Sequence, residues 1–396
     1  MKKYKLLTSE GYRDIFGNEA IIRKDVENTI LNLFSAFGYN LVKTPTLEYI
    51  DVFSVDGMQK PDLYNLINRS GEVLSLSNDI TSSIARFVAS NHYEIPLKYC
   101  YSSEVFRYPK EYQGKSHQFL QAGIEIIGRE DKLSDLECIY LAYKALRACN
   151  IDDFTVHIGS LKFLNELFND LKIDLLAKKE IFSCIENKDF VSMKNVLYSQ
   201  LEKSQADLVI DLMMRGGKIK FLESLKENLA GYSCVKEIDY LIELDQVLKS
   251  LQISNIIFDF SIYSYAKYYT GIVFQIYLDK VSKAIVEGGR CDNIFKYFEL
   301  DYKNIGFGLD IDAITSYKLS TYKCSQKIIK ILAISDNESI LFAFENNNEL
   351  RKKGYIVDQQ YFKDLNSTLK FAQKNNYDYI IYYKNNEAIK MEVESC

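Results

Sequence analysis

The spacing of apolar and polar positions divides this chain into stretches with different rhythms. From about Glu19 to Phe37 apolar residues return every three or four positions (Ile22, Val26, Ile30, Leu33, Phe34, Phe37), which predicts one amphipathic helix. Gly38 stands where such a helix ends. Tyr39 to Pro45 reads as a strand entering a proline turn, 72–76 as a short strand, and Thr81 to about Ser90 as a helix. Residues 98–108 and 118–127 read as two strands joined by a long polar loop. A helix over 132–149 and a strand over 153–159 follow. Between about 160 and 250 the rhythm is helical almost throughout, which predicts a helical insertion or connector. Strand patterns return at 254–260, 269–278 and 282–287, and Gly288-Gly289 is a turn signal. Residues 291–298 predict a helix, and 304–309 a strand that runs into another.

Near 318–327 the chain turns polar, and a domain boundary is expected there. Beyond it, strand 328–335, helix 337–353, strand 355–360, helix 364–374 and strand 378–384 alternate. That order predicts a small α/β domain with a largely parallel sheet over 328–396. The first part, 1–320, has consecutive strands and clustered helices. It predicts an α+β domain on a mostly antiparallel sheet, with the helical insertion at about 160–250.

Composition narrows the function. The 396 residues carry a net charge of -5, which argues against a dominant surface for nucleic acid. No run of 18 apolar residues occurs and no apolar segment follows the basic start. A membrane span and secretion are therefore not expected, and a cytoplasmic protein is. The eight cysteines form no Cys-x-x-Cys pair and the three histidines (His92, His117, His157) are scattered, so neither a metal site nor a cofactor is expected.

One segment has the look of a ligand face. In Gln118 to Glu125, strand alternation puts Gln121, Gly123 and Glu125 on one side. Gln121 can donate and accept, and Glu125 suits an ammonium. Gly123 removes bulk, so a ligand could lie against the sheet. The same pattern also suits the exposed polar face of an edge strand. Gly288-Gly289-Arg290-Cys291-Asp292 lacks the spacing of a phosphate loop.

Several motifs, in order, resemble those of class II histidyl-tRNA synthetases. Phe37-Gly38-Tyr39 with Thr44-Pro45-Thr46-Leu47-Glu48 is similar to the family's first motif, which builds a dimer interface. Leu76-Ser77-Asn78-Asp79-Ile80-Thr81 resembles a histidine-contacting segment. Phe106-Arg107-Tyr108 with Gln118-Phe119 and Gln121-x-Gly123-x-Glu125 resembles the second motif. Tyr268-Tyr269-Thr270-Gly271 resembles the histidine-specific motif, Gly288-Gly289-Arg290-x-Asp292 a Gly-Gly-Arg-Tyr-Asp motif, and Ile305-Gly306-Phe307-Gly308 the start of the third. The resemblance covers roughly 8–320 and, more weakly, 328–396, which resembles a shortened anticodon-binding domain. It implies a class II synthetase-like fold and a histidine pocket made by Asp79, Thr81, Arg107, Gln121, Glu125, Tyr268 and Tyr269.

The departures from the motifs matter as much. Ser264 stands where the family has an arginine that helps activate the histidine carboxylate, Ala313 where it has an ATP-stacking arginine, and His117 where it has a second-motif arginine. Pro109-Lys110 replace Glu-Arg, and Ser77-Asn78 replace Arg-Pro. Arginine serves such positions because its planar, permanently charged fork pairs with phosphate and carboxylate oxygens. The pattern resembles a regulatory paralogue family, the regulatory subunits of ATP phosphoribosyltransferase. It implies a protein with no catalytic residues of its own, a homodimer within a larger hetero-oligomer. Its partner would be the short-form catalytic subunit in the first step of histidine biosynthesis, with histidine as effector. The alternative is a divergent histidyl-tRNA synthetase.

Overall fold

The computed structural model describes residues 4–54, 63–108, 116–262, 269–279, 281–321, 329–360 and 364–393. These fall into two units, Met1–Ser320 and Thr321–Cys396.

In the first unit, helix α1 (Gly17–Ala36) precedes the short strands β1 (Asn40–Leu41), β2 (Leu47–Tyr49), β3 (Asn65–Ile67) and β4 (Val73–Leu76). Then come α2 (Ile80–Asn91), the long hairpin β5 (Leu97–Phe106) and β6 (Gln118–Ile127), α3 (Lys132–Ala148) and β7 (Phe154–Ser160). Six helices follow without a strand: α4 (Leu161–Asp170), α5 (Leu175–Glu186), α6 (Phe190–Gln200), α7 (Lys203–Met214), α8 (Ile219–Asn228) and α9 (Val235–Ser250). Strands β8 (Ile256–Phe258), β9 (Ile272–Leu278) and β10 (Val286–Arg290), helix α10 (Asn293–Tyr297), strand β11 (Asn304–Asp310) and helix α11 (Ile311–Thr321) complete it.

The main sheet runs β1-β5-β6-β11-β10-β9-β7-β8, and only the pairs at its two ends are parallel. The two faces differ because alternation sorts their residues. Ala122, Ile124, Ile126, Phe307 and Leu309 point to one side, where they pack with Val26, Ile30 and Phe34 of α1 and with α3. Burying each large apolar side chain there contributes about 1.5–3 kcal/mol. On the other side Tyr101, Val105 and Ile127 meet Ile80, Ile84 and Val88 of α2 and Ile294 and Phe295 of α10. The helical stretch shares the main apolar core, through Phe163, Leu167, Leu241 and Leu244.

Side-chain caps set where several helices begin. Asp79 accepts from Ser82 N at the start of α2, Asp131 from Ser134 N before α3, and Ser160 Oγ from Phe163 N before α4. The strand expected over 39–45 shrinks to two residues, because its parallel partner β5 pairs with it only at Asn40 and Leu41. Gly288 and Gly289 are not a turn. They lie inside β10, where a Cβ on Gly288 would stand 2.5 Å from Phe307 Cβ and 2.6 Å from Phe274 Cζ. Glycine is used there for close packing rather than for chain reversal.

The second unit comprises β12 (Lys330–Ser335), α12 (Ile340–Lys352), β13 (Ile356–Gln359), α13 (Leu365–Lys374), β14 (Tyr379–Lys384) and β15 (Glu387–Glu392). The sheet order is β13-β12-β14-β15, parallel except for the last pair. Ala343 of α12 packs with Ile331, Ala333 and Ile381 on one face, and Ala372 of α13 with Leu332 and Ile380 on the other. The sequence pattern missed β15. Its hairpin turns on Asn385 and Asn386, at φ 52° and 58°, the left-handed pair that a two-residue type I′ turn requires.

Candidate functional site

The register of the main sheet brings the polar residues of its α2 face together. Tyr99, Glu125, Gly306, Gly289 and Val273 stand in one row across β5, β6, β11, β10 and β9. Tyr101, Gly123, Gly308, Glu287, Gln275 and His157 form the next, reaching β7. Four glycines thus meet at the centre of the sheet. A Cβ on Gly306 would collide with Glu125 Oε2, one on Gly308 would lie 2.5 Å from Gln121 Nε2, one on Gly123 2.5 Å from the Tyr101 hydroxyl, and one on Gly289 3.0 Å from the Tyr269 ring. Each glycine makes room for a side chain that lies across it. The space over Gly123 is therefore taken by Tyr101, where the sequence suggested a ligand against bare sheet. β6 lies between β5 and β11, so Gln121 and Glu125 are not on an edge strand.

Glu125 is the centre of this arrangement. It is 2% exposed, accepts from Thr81 Oγ1 at 2.6 Å and from Asn304 Nδ2 at 2.7 Å. Burial pushes its carboxyl up to about 7; the two hydrogen bonds oppose that rise and Asp79 adds to it. The capping geometry of α2 supplies both Asp79 and Thr81: Asp79 Oδ2 accepts from Ser82 N at 3.1 Å and Ser82 Oγ at 2.6 Å. Tyr101 donates to Gln121 Oε1 at 3.2 Å. Burial raises the Tyr101 and Tyr269 hydroxyls well above their ordinary range, with Glu125 and Asp79 contributing to both. Arg107 lies at the rim, exposed, with Nε donating to Asn78 O at 3.2 Å and the guanidinium 5.4 Å from the Phe119 ring centroid.

Six of the seven expected residues, Asp79, Thr81, Arg107, Gln121, Glu125 and Tyr269, therefore converge on one face of the sheet. Tyr268 lies outside the described residues, as do Ser264, Pro109 and Lys110. Sequence reasoning missed Tyr101, Asn304, Cys291, Gln275 and Glu287. Asn304 is fully buried and donates to Cys291 Sγ at 3.0 Å as well as to Glu125. Strand alternation along 97–106 and 304–310 could have flagged Tyr101 and Asn304; cross-strand register alone places Glu287.

The positions where the resemblance expects arginine are differently occupied. Ala313 lies in the first turn of α11 and its backbone N–H donates to Asp310 Oδ1 at 2.8 Å. His117 shares a hydrogen bond with Tyr64 and packs against the rings of Tyr12, Tyr64 and Tyr108. Its backbone N–H donates to Gly11 O at 2.9 Å, and Gly11, at φ +77°, has no room for a side chain beside the imidazole. Arg290 points away from the site, to the helical face of the sheet. There it donates to Arg129 O at 2.9 Å, Ser134 Oγ at 3.1 Å and Asp135, which also accepts from Tyr240 of α9. Among the described residues no group of three His, Cys, Asp or Glu could hold a metal ion, and no helix is long and apolar enough to cross a membrane.

The sequence model of histidyl-tRNA synthetase matches residues 11–314. An ATP phosphoribosyltransferase regulatory subunit from Clostridium novyi (strain NT) is 30% identical over 99% of this chain and 95% of its own length. A structure described as an ATP phosphoribosyltransferase regulatory subunit/histidyl-tRNA synthetase from Bacillus halodurans C superposes with a TM-score of 0.85 at 26% identity, covering 97% of this chain and all of the other. A histidyl-tRNA synthetase from Nostoc sp. PCC 7120 shares the fold, with a TM-score of 0.79 at 20% identity over 98% of this chain and 96% of that one.

Proposed function

We propose a function from one premise: this chain belongs to the histidyl-tRNA synthetase family and, within it, to the ATP phosphoribosyltransferase regulatory subunits. Its role in histidine biosynthesis is regulatory. It activates a short-form catalytic ATP phosphoribosyltransferase subunit in the cytoplasm, and it senses histidine on the glycine-floored face of its main sheet.

The observation that carries this reading is the contrast within the site. Thr81, Glu125 and Asn304 are joined by hydrogen bonds beside Gln121 and Tyr269, an arrangement suited to an imidazole and an ammonium. Ala313 offers no guanidinium, and His117 is packed among tyrosines. Removing one electrostatic donor typically costs about 2–4 kcal/mol of transition-state stabilisation, so several missing donors abolish adenylation. Histidine regulates by favouring one state of the complex over another.

The chain acts as a homodimer within that hetero-oligomer. The short strands beside its first motif leave Leu41 65% and Tyr49 54% exposed, with Ile21 60% exposed on the preceding α1 and Ile67 76% exposed on the neighbouring small sheet. The second unit, whose sequence resembles a shortened anticodon-binding domain and carries mixed charge, serves assembly rather than tRNA reading.

The test is phosphoribosyl-ATP formation by the short catalytic chain, with and without this protein, as histidine is titrated. Activity that needs the mixture and falls with histidine is the expected result. No stimulation sinks the regulatory reading. In that case histidine-dependent ATP–pyrophosphate exchange by this chain alone would favour a divergent synthetase.

A further inference from the structure

Glu287 belongs to none of the motifs, yet the sheet register delivers it to the same face as Glu125. It pairs with Gly308 on one side and Gln275 on the other. Two strand spacings, about 10 Å, and one row separate it from Glu125 across the glycine floor. Among the described residues, Gly306 and Gly308 lie between them, with the side chains of Gln121 and Tyr269 laid over the glycine floor.

The carboxylate is held in place. Gln275 Nε2 donates to Glu287 Oε1 at 3.0 Å, and the other end of that amide is fixed by the Tyr277 hydroxyl, which donates to Gln275 Oε1 at 2.7 Å. Tyr277 therefore dictates which end of the amide faces Glu287. Among the described residues no lysine or arginine forms an ion pair with Glu287. Glu287 shares this face with two further carboxyl groups: after burial and Cys291, Glu287, Glu125 and Asp79 all raise the Tyr269 hydroxyl. A second observation points to a missing donor. Asn304 is fully buried beside Glu125, and its Oδ1 has no hydrogen-bond partner among the described residues.

Resting on the reading that this face takes histidine, we infer that Glu287 is a second ligand-facing carboxylate that selects for a ligand carrying positive charge at both ends. Glu125 and Glu287 flank the floor, one for each cationic end of an amino acid with an imidazolium or comparable side chain. The same pair repels a polyphosphate, whose charge matches theirs. The competing account is structural: Glu287 does no more than tie β10 to β9 through Gln275.

Titration calorimetry of L-histidine into the full chain separates the two, with thermal melting to show that each variant folds. Glu287→Gln keeps an oxygen for the Gln275 bond and removes the charge, and it is expected to weaken histidine at least tenfold. Gln275→Ala removes the cross-strand bond and keeps the charge, and it is expected to cost less than threefold. Glu287→Lys is expected to abolish histidine binding and to admit inorganic pyrophosphate. Glu287→Gln within twofold of the wild type overturns the inference, and so does Gln275→Ala matching Glu287→Gln. If Glu125→Gln alone abolishes binding, the histidine reading stands and the role of Glu287 falls. No heat from the wild-type chain removes both.

Discussion

The two ends of the site are built differently. At the Glu125 end the polar side chains engage one another, with Thr81 and Asn304 on the carboxylate, Tyr101 on Gln121 and Tyr269 over Gly289, and Asn304 Oδ1 is left without a partner among the described residues. At the end where the family resemblance expects phosphate-binding arginines stand Ala313 and an aromatic-packed His117. Arginine has not been avoided in this fold. Arg290 is buried against Asp135, and Arg23 meets Asp312 at 2.5 Å and Glu104 at 2.9 Å. Arginines held by groups inside the protein are present, Arg107 on Asn78 O among them, whereas the motif positions at Ser264, His117 and Ala313 carry other residues. A charge that braces the scaffold is needed whatever the site binds; a charge that waits for a triphosphate is needed only if one comes.

The largest effect should come from the brace. Asp135→Ala leaves the Arg290 guanidinium buried with only Arg129 O, Ser134 Oγ and a distant Asp292. Removing one partner of a buried ion pair costs about 3–5 kcal/mol, and urea unfolding should show it. A loss below about 1 kcal/mol would mean that the pair is not the brace described here.

Next comes a pH effect at the other end. In the folded chain Glu125 is raised to about 7 from 4.5, chiefly by burial. The native state therefore holds a proton that the unfolded chain releases, and stability falls as pH rises from about 4.5 to 7. Above that window no further loss arises from this group. The span corresponds to about 3 kcal/mol. Glu125→Gln should flatten the slope of unfolding free energy against pH between 5 and 7. An unchanged slope would place the titration elsewhere.

Gly306→Ala should be smaller in stability but decisive for the ligand end. The added methyl meets Ile124 O and Glu125 Oε2, and β11 backbone must shift. Overpacking of this kind typically costs about 1–3 kcal/mol. Histidine should no longer inhibit the complex, while activation of the catalytic chain should survive. If histidine still inhibits, the effector binds somewhere else.

What the sequence could and could not disclose follows from the range of each signal. Alternation is local, so Gln121, Gly123 and Glu125 could be put on one face from eight residues. The helical rhythm of 160–250 was equally plain. Glu287 is brought beside Glu125 by pairing of β10 with β11 and of β11 with β6, and the second of these joins segments more than 160 residues apart in sequence, which no local pattern encodes. Gly288-Gly289 misled because the same residue serves turns and close approach, and only the packed side chains of Phe274 and Phe307 reveal which. Asp79 illustrates a double role: the resemblance marks it as a ligand contact, while the fold also uses it as the cap of α2.

The smallest expected effect, and the sharpest probe of the comparison, is Ala313→Arg. The position is half-buried in the first turn of α11, where a positive charge opposes the helix dipole by about 0.3–1 kcal/mol. The carboxylates of Asp310 and Asp312 stand close by, though Lys283 and Arg23 already engage them. Net stability should thus move by less than about 1 kcal/mol. Restoring one guanidinium leaves Ser264 and His117 as they are, and each missing donor accounts for about 2–4 kcal/mol of transition-state stabilisation. ATP–pyrophosphate exchange should therefore stay at background in the single variant. It should become measurable only when Ser264→Arg and His117→Arg are added. The His117 change must also displace the imidazole from its tyrosine packing, so the triple variant tests whether that packing, as well as the missing charge, keeps the phosphate end closed. Exchange that appears in the single variant would show that the phosphate end lacks one group rather than several, and would shift the balance toward a synthetase.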